Sequence, residues 1–342
     1  MNILFALSII SNEVNPNTCV YVAPFGFMYF FLYIFHIVIF FLYFKRRKRI
    51  AIPALILLLI GSIYIRNTIN VTFQNDKKGI KVMTWNVKNF DLYNWTNNLN
   101  TRKEIFKLIK EESPDILAIQ EFYTNSSNFD NIGALKNLGY PYIYFQPTFS
   151  QSDHDQWGLA IVSKFPLKQK ELLPEVNQKT KMNRTIKATA TTPSGEIDIY
   201  TSHFQSIHLH YDDYNYIDKL KNDFHDYNSD KTYTIFQKII IAYEYRVKQI
   251  ETLLEDIHKN NHKAIVCCDL NDIPNSYSYH LLSKNLVDSY RKKGNGFSNT
   301  VSIVLPLLRI DYIFTTDNLM INGYQKINTN LSDHNIIISY IQ

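Results

Sequence analysis

Several carboxylates, carboxamides and histidines of this chain sit at the polar edges of strand-like apolar runs. Asn86 lies in Trp85-Asn86-Val87, just after Ile80-Lys81-Val82-Met83-Thr84. Gln120-Glu121 follows Ile116-Leu117-Ala118-Ile119, and Asp269-Leu270-Asn271-Asp272 follows Ala264-Ile265-Val266-Cys267-Cys268. Asp311 comes after Leu307-Leu308-Arg309-Ile310, and Ser332-Asp333-His334 closes the series. One polar strand end is commonplace. Several, built from so few residue types with a histidine last, predict a site at one end of a sheet. The chemistry they suit is hydrolysis of a phosphate ester by a divalent metal and a histidine–aspartate pair. Phosphorus is shielded by negative oxygens, so a protein must supply a cation for them, a positioned water and a route for the leaving oxygen's charge.

In type and order these strings resemble the endonuclease/exonuclease/phosphatase superfamily, over about residues 80–342. The chain is closer still to a membrane-anchored branch common in Bacteroidetes-type bacteria. There, apolar spans precede the domain, and strings like His203-Phe204-Gln205-Ser206-Ile207 and Leu307-Leu308-Arg309-Ile310-Asp311-Tyr312 recur. The resemblance implies an α/β fold, a four-layered sandwich of two packed mixed β-sheets flanked by helices.

It also implies roles. Magnesium takes oxygen ligands and keeps several waters, so one or two side chains suffice; manganese is the other candidate. Glu121 is the first expected ligand, Asn86 adds a carboxamide oxygen, and Asp333 is expected close to the metal. His334 is expected as general base or phosphate-binding imidazole, with Asp311 on its other ring nitrogen fixing the tautomer. Asp269 is expected to position or deprotonate the attacking water, Asn271 to hold a phosphoryl oxygen, and His203 to contact the phosphate or leaving group. Whether His334 or Asp269 takes the proton stays open. Lys88 departs from the pattern, standing where many relatives carry an acidic residue, and Cys268 stands where glycine is usual. His208 and His210, with Asp212 and Asp213 nearby, have no zinc-specific spacing and read as solvated loop residues.

Charge separates the chain into unlike parts. Of the formal +5 over 342 residues, Glu13 is the single charge before five basic residues at 45–49, which leaves +1 from Ile50 onward. A duplex-binding nuclease more usually carries a basic surface, so the balance leans towards a lipid head group or small phosphate ester. Three cysteines make no disulfide framework. Cys267 and Cys268, adjacent on a strand, should point to opposite faces as core residues.

Residues 20–44 are rich in Phe, Tyr, Ile and Val, with His36 the only ionisable group besides tyrosine. That length reaches the roughly 20 residues of a membrane span. Ala51–Ile65 is a second, shorter candidate. The basic cluster between them should stay in the cytoplasm, giving a hairpin in a bacterial inner membrane with the catalytic domain on the periplasmic side. Residues 1–11 are apolar but too short to span. The expected division is an anchor over 1–78 and a catalytic domain over 79–342.

Beyond the anchor, apolar runs alternate with amphipathic stretches. Helices are expected over 101–112 and 233–258, and strands over 157–163, 186–191 and 196–202. Arg246, Gln249 and Leu253 fit the family's helix before the Asp269 strand. Residues 208–233 lack a clear period and read as an insertion over the site. The leading functional expectation is a membrane-tethered, magnesium-dependent phosphoesterase acting on a lipid head group, a small molecule or nucleic acid. A nuclease with the same site is the near alternative, and a catalytically silent membrane-bound binding module the distant one. No protein partner is inferred.

Overall fold

The computed structural model describes the chain apart from residues 46, 153, 177–181, 210, 223–226, 261 and 302–307. His210, Leu307 and Arg46 of the basic cluster therefore lie outside the described residues. The strands are β1 (Ile69–Asn70), β2 (Ile80–Asn86), β3 (Ile116–Asn125), β4 (Tyr142–Ser150), β5 (Asp155–Ser163), β6 (Leu167–Leu172) and β7 (Thr185–Thr192). They continue with β8 (Gly195–His203), β9 (Ala264–Asp269), β10 (Val287–Asp288), β11 (Gly296–Phe297), β12 (Asp311–Thr315), β13 (Ile321–Ile327) and β14 (Ile336–Ile341). One six-stranded sheet runs β13-β14-β2-β3-β5-β4 and the other β10-β12-β9-β8-β7-β6. Both are mixed, with β2–β3 and β8–β9 parallel.

Strict side-chain alternation builds the layers. Ile116 and Ala118 of β3 meet Ile265 and Cys267 of β9 between the sheets. Leu117 and Ile119 face the other way, towards the helix Thr101–Glu112, which presents Ile105 and Ile109 one turn apart. Val266 and Cys268 turn outward to Ile250, Leu253 and Ile257 of a 32-residue helix, Ser229–Asn260. The result is helix, sheet, sheet, helix, as the resemblance implies, with both cysteines in the core. Ser113, left-handed at φ 44°, ends that helix just before Pro114, which cannot continue a helix.

Three expectations are corrected. Asp311 and His334 do not end strands: Asp311 opens β12, and His334 precedes β14. Leu308-Arg309-Ile310 resembles a strand by composition, but Arg309 is a buried anchor. It is paired with Asp288 at 2.8 Å and packed on the rings of Tyr290 and Tyr312. Within 208–233, residues Tyr211–Asn222 form a helix rather than a loop, with Asp212 and Asp213 favourably placed in its first turn; the long helix after it begins at Ser229, four residues early. Finally, the first apolar run is not one continuous α-helix. Val20–Met28, which contains Pro24, is 3-10, and α-helix resumes over Tyr29–Tyr43.

By length and composition, the apolar helical stretch Pro16–Tyr43, 28 residues, suffices to cross a membrane; the apolar helix Ala51–Ile65 is shorter. Tyr29–Tyr43 packs against the helix Lys48–Ile65, with Phe5 of Asn2–Ile10 filling the angle between them. His36 is buried there, its ring bonded to the Leu32 carbonyl and the Asn2 carboxamide. Outward, Phe31, Phe41, Ile52, Leu59 and Ile63 are exposed.

Candidate active site

Strand direction brings the expected residues to one edge. β12 runs antiparallel to β9, so its first residue, Asp311, pairs with the last of β9, Asp269. β8 is parallel to β9 and places His203 on the other side of Asp269. Thus His203, Asp269 and Asp311 form one row across the second sheet. In the first sheet Asn86 ends β2 beside Gln120 of β3, and β14, antiparallel to β2, starts near the same edge. The loop before β14 is pinned there: Ser332 Oγ donates to the Asn86 carbonyl (2.8 Å), and Trp85 Nε1 donates to the His334 carbonyl (3.1 Å).

Glu121 reaches the site through a bulge. β3 pairs Ile119 with Ala160 and then Phe122 with Gly158, so two residues, Gln120 and Glu121, oppose Leu159 alone. Glu121 has φ 49°, and Asn271, past the end of β9, has φ 53°. Gln120 turns inward and joins the sheets by donating to Thr201 Oγ1 at 2.8 Å.

Asn86 links the two rows. Its Nδ2 donates to Glu121 Oε1 and Asp269 Oδ2, both at 3.0 Å, and its Oδ1 accepts from the Lys88 amide. Asp269 is buried, and its Oδ1 accepts from the Asn271 amide. His203 Nε2 lies 3.6 Å from Asp269 Oδ2 and 3.8 Å from Glu121 Oε1. His334 Nδ1 is 3.1 and 3.0 Å from the two oxygens of Asp311, which leaves Nε2 facing Asp269 at 3.9 Å. Burial works against the imidazolium, but the Asp311 and Asp269 carboxylates outweigh it and hold the His334 pKa at about 10. Asn271 Nδ2 donates to the Phe204 carbonyl.

Asp333 is engaged differently. Its Oδ2 is 2.8 Å from Lys88 Nζ, and that ammonium also lies over the Trp95 ring. Burial opposes ionisation of Asp333, yet His334 and Lys88 together hold its carboxyl below the ordinary value. The donor set fits a hard cation. Two carboxylates and a carboxamide converge, and the carboxamide, whose O and N are interchangeable by a flip, already bridges both. Asp269, Asp311 and His334 also offer ligand atoms within 4.8 Å of one another. That trio suits an ion less well, because Asp311 is committed to Nδ1.

Some contacts that build the site were not expected from the sequence. Thr300 Oγ1 accepts from the amides of Ile310 and Asp311 and so fixes where β12 begins. Arg246 forms a buried 2.7 Å ion pair with Asp272 and donates from Nε to the Gln205 carbonyl, tying the loops after β9 and β8 together. Nothing in the pattern around Thr300 or Asp272 marks these roles. The zinc possibility has no support among the described residues, since the His208 ring bonds Ser206 and Asn183, and Asp213 pairs with Lys238.

Residues 83–334 match the model of the Endonuclease/Exonuclease/phosphatase family, and residues 1–68 match a domain of unknown function. No curated protein gives a significant match. The fold is similar to that of an endonuclease/exonuclease/phosphatase from Bacteroides vulgatus (TM-score 0.58, 16% identity, covering 77% of this chain and 98% of that one). It is similar too to an endonuclease/exonuclease/phosphatase from Beutenbergia cavernae (TM-score 0.57, 17% identity, 77% and 71%). A third likeness is to the catalytic domain of human Nocturnin with a bound sulfate anion (TM-score 0.56, 19% identity, 78% and 96%).

Proposed function

Since the chain belongs to the endonuclease/exonuclease/phosphatase family, we propose that it is a membrane-tethered phosphoesterase that requires a divalent cation. The observation that carries this reading is the Asn86 carboxamide bridging Glu121 and Asp269, beside the buried His334–Asp311 pair. Oxygen donors for a cation and an oriented imidazole then meet at one edge of the sandwich. Glu121 and Asn86 would hold the ion; Asp333, already neutralised by Lys88, is the weakest of the three expected ligands. When bound, Mg2+ or Mn2+ supplies a Lewis acid for the phosphoryl oxygens. Asp269 positions the attacking water, Asn271 holds a phosphoryl oxygen, and His203 contacts the phosphate or the leaving group. His334, oriented by Asp311, gives or takes a proton at Nε2. Water adds to phosphorus, the ester P–O bond breaks, and the leaving oxygen ends protonated.

The ester belongs to a lipid head group, a small molecule or a nucleic acid. The charge of +1 from Ile50 onward supports the first two over a duplex. The helices Tyr29–Tyr43 and Lys48–Ile65 form a hairpin in a bacterial inner membrane, and the catalytic domain lies on the periplasmic side, opposite the basic turn. The test is hydrolysis by the purified full chain of phosphate monoesters, phosphodiesters and oligonucleotides. Activity should need added Mg2+ or Mn2+, vanish with a chelator, and fall by most of its value in Glu121→Gln while the melting curve is retained. Full activity after exhaustive chelation sinks the metal reading; no hydrolysis of any ester favours the silent binding module.

A further inference from the structure

The apolar N-terminal segment does not hang from the catalytic domain by a loose strand; it is docked at the end that carries the site. The loop directly after Asp269-Leu270-Asn271-Asp272 receives it. Asn67 Nδ2 donates to the Pro274 carbonyl, and Gly26 approaches so closely that a Cβ there would stand 2.1 Å from the Asn275 carbonyl oxygen. From the other side the buried Arg309 donates to the Asn67 carbonyl at 3.0 Å, and β1 pairs with β11. His280 lies 3.3 Å from Glu13.

The helix Ser229–Asn260 reports the direction. Its last turns precede β9 at the far edge of the sheet, and Arg246 sits at the level of the site loops through Asp272 and Gln205. Residues 229–246 therefore extend about 25 Å from those loops, on the site side. The N-terminal segment packs against that projection, with Tyr21 stacked on Phe236. A second feature lies on the rim formed by the first sheet. Just after Asn86 and Lys88, the loop bears Tyr93, Trp95 and Leu99 at 59, 46 and 90% exposure. Tyrosine and tryptophan favour the membrane–water interface, where an apolar ring and a polar edge are both satisfied.

We propose that the site takes the phosphate ester of a membrane lipid, presented by the same bilayer that holds the N-terminal helices. The Pro274–Asn275 loop that holds the N-terminal segment follows closely on Asn271, and the aromatic loop follows closely on Asn86, so in this proposal the site faces the bilayer surface. A head group enters between the Pro274–Asn275 loop and the rim without leaving the membrane. A long nucleic acid would have to thread between a bilayer and a domain with no excess positive charge. The inference rests on the phosphoesterase reading and narrows its substrate.

The full chain is to be reconstituted with Mg2+ in vesicles of phosphatidylethanolamine, phosphatidylglycerol, cardiolipin and phosphatidylinositol. Released head group or phosphate is measured by mass spectrometry, beside hydrolysis of bis(p-nitrophenyl) phosphate, p-nitrophenyl phosphate and an oligonucleotide. Vesicle lipid should be cleaved, and the double variant Tyr93→Glu with Leu99→Glu should lose about tenfold on vesicles, because surface confinement supplies the effective concentration. The same variant should keep wild-type rates on the soluble esters. Hydrolysis of the soluble esters or oligonucleotide with vesicle lipid intact overturns this inference and leaves the phosphoesterase reading standing. So does equal loss on every substrate. Failure on all substrates overturns both.

Discussion

Replacing His334 and Asp311 singly and together separates a working pair from two independent contributors. Both Asp311 oxygens lie within 3.1 Å of His334 Nδ1, and both residues are buried. Both carboxylate oxygens therefore act on the ring. His334→Ala removes the proposed proton-transfer group, which in general acid–base catalysis is worth about 10²–10⁴ in rate. Asp311→Asn keeps the shape and leaves the ring in place but removes the charge and loosens the tautomer; a loss of about 10–10² is expected. Independent effects would multiply to about 10³–10⁶ in the double variant. A dependent pair predicts the double variant within about threefold of His334→Ala, since Asp311 has nothing left to orient. The assay is single-turnover hydrolysis of a chromogenic ester at saturating Mg2+, with urea unfolding to verify that each variant is folded. The start of β12 should survive, because the Asp311 amide bonds Thr300 rather than the histidine. Multiplicative losses in folded proteins would refute the pairing.

Lys88→Gln should change stability by less than about 1 kcal/mol, since its ion pair with Asp333 is partly exposed, and should tighten Mg2+ binding severalfold in calorimetry by freeing Asp333. Unchanged affinity would remove Asp333 from the ion's surroundings. Arg246→Met, which strands the buried Asp272 carboxylate, should cost about 3–5 kcal/mol in urea unfolding; a cost under about 1 kcal/mol would mean the two loops hold without it. A reporter fused after Ile80 should be active only on export and one fused at Lys48 only in the cytoplasm; a cytoplasmic signal from the Ile80 fusion would indicate a single span.

What was legible in the sequence follows from how locally each feature is encoded. β2, β9 and the sheet-facing Ile105 and Ile109 are written in period, so their residues and faces follow from the string. Asp311 and His334 were recognisable as members of the site, but not as residues at or just before the start of a strand. Direction relative to β9 is a tertiary fact, and Arg309 among Asp288 and two tyrosines makes Leu308-Arg309-Ile310 a plug rather than a strand. Tyr211–Asn222 carries many weak helix formers, and its pairing of Asp213 with Lys238 of the next helix is invisible to local pattern. The 3-10 stretch Val20–Met28 reads as membrane helix by hydropathy alone, whereas Gly26 is required by the backbone of a residue 249 positions later.

The bulge at Gln120 and Glu121 has a further meaning. Without Glu121, Gln120 would oppose Leu159 and Phe122 would follow in regular register. The strand would lose a residue held in the left-handed region, where a non-glycine side chain costs about 1 kcal/mol or more. The expected metal ligand is thus an extra residue that the sheet does not need. A chain with Glu121 deleted should fold at least as well and catalyse nothing. Selection for stability alone would tend to erase this residue, so its presence in an irregular strand is the mark of a sheet held to a task rather than to its own best packing.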